Sequence, residues 1–211
     1  MRIELENIGK KFGREWIFRG VNYSFAPGNP TVILGSNGSG KSTLLQIISG
    51  SLMEGEGKIN YELNSTNISQ EEIYQHVVIA APYLELMEEY TLIESISFHG
   101  KFKKWRSGYD EKKVLDRSGL SKTGNKQLKN FSSGMKQRVK LSLAILSDTP
   151  LLLLDEPCSN LDKEACGWYE ELITEQGKNR TIIVCSNEIR EEFSFCKEEI
   201  RMENYKKLQE K

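Results

Sequence analysis

The stretch "LGSNGSGKSTLLQII", residues 34–48, decides the fold. Gly35, Gly40, Lys41 and Ser42 satisfy the pattern GxxxxGK[ST]. A loop of this kind turns its backbone N–H groups inward around phosphate oxygens, and glycine is needed where backbone and phosphate come close. The flanks agree with this reading. "TVILG" before the loop has the β-branched, apolar character of a buried strand. "KSTLLQIISG" after it sets Leu44, Leu45, Ile47 and Ile48 at helical spacing, with Gly50 as the cap. Ser36, Asn37, Gly38, Ser39 and Thr43 complete the lining of the cradle. Lys41 is expected to reach the β- and γ-phosphates of a nucleotide, and the Ser42 hydroxyl to bind Mg²⁺.

Further along, "LLLLDEP", residues 151–157, is an apolar run that delivers two adjacent carboxylates to its end. Alone, such a pair is ordinarily a solvated strand end. With a phosphate loop upstream, Asp155 suits the metal shell and Glu156 suits a catalytic base that orients or deprotonates water. Successive strand side chains face opposite ways, so Glu156 reaches the phosphate only if the chain turns as the strand ends.

Other short β-branched runs, "VNYSF", "HVVIA" and "TIIVCS", alternate with longer helical or loop stretches, which predicts an α/β protein with a largely buried sheet. "EEIRMEN" is a last strand-like stretch. Residues 84–148 lack a strong strand and read as an inserted helical lobe, with helices over "TLIESISFHGKFKKW", "DEKKVLDRSG" and "SGMKQRVKLSLAILS" around the Ser/Gly/Lys-rich "SKTGNKQLKN". One domain over 1–211 is expected. No apolar run is long enough to span a bilayer, and the N-terminus lacks a signal-peptide h-region, so a cytosolic chain is expected. The four cysteines have neither CxxC nor zinc-ligand spacing and are expected to be reduced thiols. The net charge is −1, yet residues 100–140 hold 13 Lys and Arg against three acids. Either one face meets an anionic partner or the lobe is simply a solvated helical surface.

The order of these motifs resembles the nucleotide-binding subunit of ABC transporters, over essentially the whole chain. The resemblance implies a P-loop NTPase fold with an inserted helical subdomain. "FSSGMKQR", residues 131–138, resembles the family signature LSGGQ, with Ser132 and Gly134 matching the residues that contact the γ-phosphate held by the opposite subunit. Phe131, Ser133 and Met135 depart from it. "SNLD", residues 159–162, resembles the loop that crosses the dimer interface, with Asp162 also able to cap the next helix. Phe12 lies where the family places an aromatic against adenine, with Trp16 a weaker candidate; for either, core packing is the competing reading. The resemblance further implies ATP and Mg²⁺ as ligands, a second ATPase subunit closing head-to-tail, and separate membrane permease subunits that hold the chain at the inner face of the membrane.

Two departures bear on rate. Where the family has a loop glutamine this chain offers Pro82, or as the weaker candidate Ala81; neither has a side-chain amide, and Pro82 has no backbone N–H, while Glu85, the nearest acid, is either a metal ligand or an ordinary exposed loop acid. The family's switch histidine is replaced by Asn187, which donates a hydrogen bond but takes up no proton; His76 and His99 lie elsewhere. Slow hydrolysis is therefore expected. Glu85, Glu88, Glu89 and Glu94 make an acidic loop suited to basic permease segments. A soluble ATPase acting on nucleic acid or a macromolecular assembly is the alternative, supported by the basic window alone. A small-molecule kinase would make the signature stretch accidental.

Overall fold

The strand before the phosphate loop and the two strands that end beside it are buried from end to end, and they form the middle of one sheet. In the computed structural model, which describes residues 1–205, the elements run as follows. They are β1 (Arg2–Phe12), β2 (Glu15–Phe25), β3 (Thr31–Leu34), α1 (Lys41–Ile48), β4 (Glu56–Leu63), β5 (Thr66–Ile68), β6 (Val77–Ala80), α2 (Leu92–Gly100), α3 (Glu111–Arg117), α4 (Ser133–Leu146), β7 (Leu151–Asp155), α5 (Lys163–Gln176), β8 (Thr181–Ser186), α6 (Arg190–Phe193) and β9 (Glu198–Arg201). The last six residues of the domain expected over 1–211 lie outside the described residues.

The buried sheet has the order β6-β7-β8-β3-β9, and all its pairings are parallel. Its alternation divides the core. Leu151, Leu153, Ile183 and Cys185 face α1, while Leu152, Leu154, Ile182 and Val184 face α4 and α5. On the α1 side Leu44, Leu45, Ile47 and Ile48 are fully buried, and each contributes about 1.5–3 kcal/mol by leaving water. Parallel strands buried on both faces read as continuous apolar runs, which is why "TVILG", "LLLLDE" and "TIIVCS" stand out in the sequence.

A second sheet, antiparallel and ordered β2-β1-β4-β5, closes the α1 side. It corrects the expectation of one largely buried sheet: "VNYSF" lies inside β2 of this outer sheet, and β1 and β4 were not anticipated as strands. β1 alternates exposed charges with buried Ile3 and Leu5, the pattern of a sheet wet on one face.

On the opposite side α2 is capped by Thr91, whose hydroxyl accepts from the Glu94 amide while the Glu94 carboxylate accepts from the Thr91 amide. The helix stops at Gly100, short of the expected Trp105. There the chain doubles back so that the Trp105 ring stacks on His99, with centroids 5.3 Å apart. A side chain at Gly100 would meet the indole at 3.0 Å. "SKTGNKQLKN" holds two short 3-10 turns. All four cysteines are free thiols. Arg180 is fully buried and donates to the Ile145 carbonyl and the Thr149 hydroxyl, both at 2.8 Å.

Candidate functional site

The carboxyl ends of β3, β7 and β8 converge, which is where open parallel sheets bind ligands. The loop between β3 and α1 wraps this point. Gly40, at the cap of α1, has φ of 100° and packs so closely that a Cβ would meet the Phe18 ring at 2.7 Å. Only glycine satisfies both constraints at low cost. A turn bond from the Ser39 amide to the Ser36 carbonyl, 3.0 Å, closes the loop.

Lys41 is almost fully buried and donates to the Gly35 carbonyl at 2.7 Å, the Ser36 carbonyl at 3.2 Å and the Asn187 amide oxygen at 2.6 Å. Asn187 in turn donates its amide nitrogen to Glu156 at 2.6 Å. Oxygen toward the ammonium and nitrogen toward the carboxylate is the one amide orientation in which both contacts attract. Lys41, Asn187 and Glu156 thus form one chain of charge-assisted bonds.

Strand parity explains the convergence. Asp155 follows Leu151 and Leu153 on the α1 face, and Asn187 follows Ile183 and Cys185 there. Glu156 has the wrong parity, but its φ of 46° turns the chain out of the strand and returns the carboxylate to the site. A non-glycine residue in this region is strained by ~1–3 kcal/mol, and such strain collects at functional sites.

Asp155 is 2% exposed, and one of its oxygens is buried with no hydrogen-bond partner. Burial pushes its carboxyl above the usual range; a hydrogen bond from the Ser42 hydroxyl acts against this, the Glu156 charge adds to it and Lys41 opposes it. A carboxylate and a hydroxyl side by side, with an orphaned buried oxygen, fit a hard cation such as Mg²⁺. Among the described residues no group of three or more His, Cys, Asp or Glu is placed to hold a metal ion.

Two further groups reach this site and were not anticipated from sequence. The Tyr83 hydroxyl lies within hydrogen-bond reach of the Gln46 side chain; burial, with the Asp155 charge second, pushes its pKa up to about 12. Glu203 accepts the Ser36 amide at 2.9 Å. Gly35, Ser36, Asn37, Asn187 and Glu203 line an open pocket of about 300 Å³. Neither residue carries a pattern signal, because both arrive by tertiary contact.

The remaining candidates lie apart. Ser132 caps α4, its hydroxyl accepting from the Met135 amide at 3.2 Å. A Cβ at Gly134 would sit 2.7 Å from the Asn160 carbonyl, so glycine is needed for α4 to approach the 159–162 loop. Gln137 holds the same approach by donating to the Pro157 carbonyl at 2.9 Å, and Asp162 caps α5. Among the described residues no hydrogen bond joins Ser132 or Gly134 to loop 35–42. Phe12 is exposed at the tip of the β1–β2 hairpin with the Lys10 ammonium over its ring, while Trp16 is covered by Arg19 and Lys11.

The charged surfaces are more self-engaged than their composition suggests. Glu88 pairs with Lys136, and Glu94 is occupied by the α2 cap. Glu85 is exposed and faces Lys140, whose ammonium donates to the carbonyls of Ala81 and Pro82. In the basic window Arg117 binds Glu171 and Glu175, and Arg138 lies over Trp168. His99 is tied to Ser147 at 2.8 Å, and burial lowers its pKa to about 4.

A phosphate loop at the end of a parallel sheet, with Lys41, Ser42, Asp155 and Glu156 gathered on it, defines a P-loop nucleotide-binding domain. The ABC transporter family profile matches residues 18–159, more than half of the chain, and the chain belongs to that family as an ATP-binding cassette that hydrolyses ATP. The chain is 29% identical over 201 residues to the ABC transporter ATP-binding protein YybJ of Bacillus subtilis, covering 92% of this chain and 89% of that one. It is 34% identical over 168 residues to the cytochrome c biogenesis ATP-binding export protein CcmA of Mesorhizobium japonicum, covering 77% and 80%. The dimeric post-hydrolysis state of an ATP-binding cassette bound to ADP and Pi superposes with a TM-score of 0.80 over 94% of this chain and 93% of that one; at 23% identity this speaks to the fold alone.

Proposed function

We propose that the chain is the ATP-hydrolysing subunit of a membrane transporter, acting on Mg-ATP at a site shared head-to-tail with a second ATPase subunit and driving separate permease subunits. The observation that carries this reading is the Lys41–Asn187–Glu156 chain beside the orphaned Asp155 oxygen. Lys41 and the loop amides of residues 35–43 hold the phosphates, Ser42 and Asp155 hold Mg²⁺, and Phe12 lies against the adenine. Bound Mg²⁺ would neutralise charge developing on the phosphate oxygens. Glu156 orients the attacking water and draws its proton, and Asn187 keeps that carboxylate aimed at the γ-phosphate position. Asn187 cannot take up a proton, and Pro82 supplies no donor, so turnover is slow.

The second subunit contributes Ser132 and Gly134. Among the described residues the cap of α4 makes no hydrogen bond to its own phosphate loop, which supports completion by another copy or a related chain. In this reading the transport path belongs to separate permease subunits and the chain works at the inner face of the membrane. No helix among the described residues is long and apolar enough to cross a membrane. The engagement of Arg117, Lys136, Arg138 and Lys140 within the fold weakens the reading as a nucleic-acid ATPase.

The test is the ATPase rate against protein concentration, with sizing in the presence and absence of Mg-ATP. The rate is expected to rise faster than linearly, and Glu156→Gln to abolish turnover while the ATP-bound dimer persists. ATP-independent dimerisation in Glu156→Gln, or a strictly linear rate, contradicts the shared site.

A further inference from the structure

On the reverse face of the parallel sheet, directly behind the site, lies a carboxylate that neither the metal nor the phosphate chemistry uses. Glu192, on α6, has 0% exposure. One of its oxygens accepts the Cys158 backbone N–H at 3.1 Å, and the other accepts the Ser186 hydroxyl at 2.5 Å. Its backbone carbonyl accepts the Tyr169 hydroxyl at 2.9 Å, which anchors α6 to α5.

Both side-chain partners adjoin the site. Cys158 lies in the turn that leaves Glu156, closed by the Ser159 amide donating to the Glu156 carbonyl at 2.9 Å. Ser186 precedes Asn187, and its hydroxyl oxygen also accepts the Ile189 amide at 3.2 Å, closing the turn that carries Asn187. We infer that Glu192 is a positioning residue for ATP hydrolysis, a strut that joins the turn after Glu156 to the turn carrying Asn187 so that the two side chains meet in one geometry.

The inference rests on the function proposed above. Its surroundings make the strut a tense one. On its own side of the sheet the titratable groups that interact with Glu192 are Cys158 in the turn after β7 and Cys166 and Tyr169 on α5, and the charges of Asp155 and Glu156 act on it from the end of β7; among the described residues none of these is a cation. Burial pushes the Glu192 carboxyl up to about 7, even though the bonds from Ser186 and Cys158 favour the charged form. The charged form accepts both bonds at once. A protonated carboxyl, or an amide, turns one of its two acceptors into a donor aimed at Ser186. The hydroxyl must then rotate, and the closure of the Asn187 turn is disturbed. A group kept only for stability would not be an acid without a cation in this position.

The experiment is Glu192→Gln in the full chain, followed by ATP turnover, ATP affinity, thermal unfolding at pH 8 and amide hydrogen exchange. The strut predicts that kcat falls about tenfold with KM for ATP nearly unchanged, and that the inflection near pH 7 disappears from the rate profile. It also predicts that exchange quickens together in residues 156–161 and 186–189, while unfolding at pH 8 occurs at the native temperature or above. Unchanged turnover, or loss of turnover together with lowered stability at pH 8, overturns it. Unchanged exchange in the two turns also overturns it, whether or not the native chain turns over. Absence of turnover in the native chain, with the two turns still loosened by the variant, counts against the proposed hydrolysis and leaves the strut standing.

Discussion

Asn187 stands between a cation and a carboxylate, and its amide bonds both without adding a titration of its own. Replacing it by alanine removes both bonds at 2.6 Å and leaves Glu156 free to rotate. Turnover of Asn187→Ala is expected to drop about 10²-fold with ATP affinity nearly intact, as for loss of a group that orients a base. Asn187→His is expected to add a titration to the rate profile that the native residue does not impose. Tyr83 offers a second test, since its hydroxyl approaches Gln46 and feels the Asp155 charge where Pro82 supplies no donor. Tyr83→Phe is expected to slow hydrolysis without altering the fold, as read by turnover beside a thermal melt. Glu192 makes a prediction about stability. Its carboxyl is raised from 4.5 to about 7, so its contribution is most favourable below about pH 4.5 and is lost as pH rises through about 7. Melting temperatures across that window should decline less steeply in Glu192→Gln than in the native chain.

At the scale of elements, the approach of α4 to the 159–162 loop is the feature most sensitive to a single atom. Gly134→Ala places a methyl 2.7 Å from a backbone carbonyl that cannot swing aside. It is expected to push the cap of α4 out of line and to lower turnover more than stability, measured by ATPase rate against urea midpoint. Some elements were legible in the sequence and others were not, for definite reasons. β3, β7, β8 and α1 are visible because strands buried on both faces are unbroken apolar runs and the phosphate loop is fixed by glycine chemistry. β1 and β4 were not, because in "RIELENIGKKF" alternating charge marks a half-wet sheet only once its pairing is known. Asp155, Lys41 and Ser42 follow from spacing. The return of Glu156 depends on a positive φ, Tyr83 and Glu203 reach the site, and Glu192 reaches the turns behind it, all through contacts that no local pattern encodes.

At the scale of the molecule, the phosphate loop and the cap of α4 lie at two places with no hydrogen bond between them among the described residues. In the head-to-tail arrangement proposed above, such a chain is half of a site twice over. The most direct measurement mixes two inactive variants, Lys41→Ala, which spoils the phosphate loop, and Ser132→Arg, which spoils the signature. A head-to-tail pair of the two contains one site with both native parts, so ATPase activity is predicted to return on mixing, well above the sum of the separate variants. A mixture no more active than that sum contradicts the shared site.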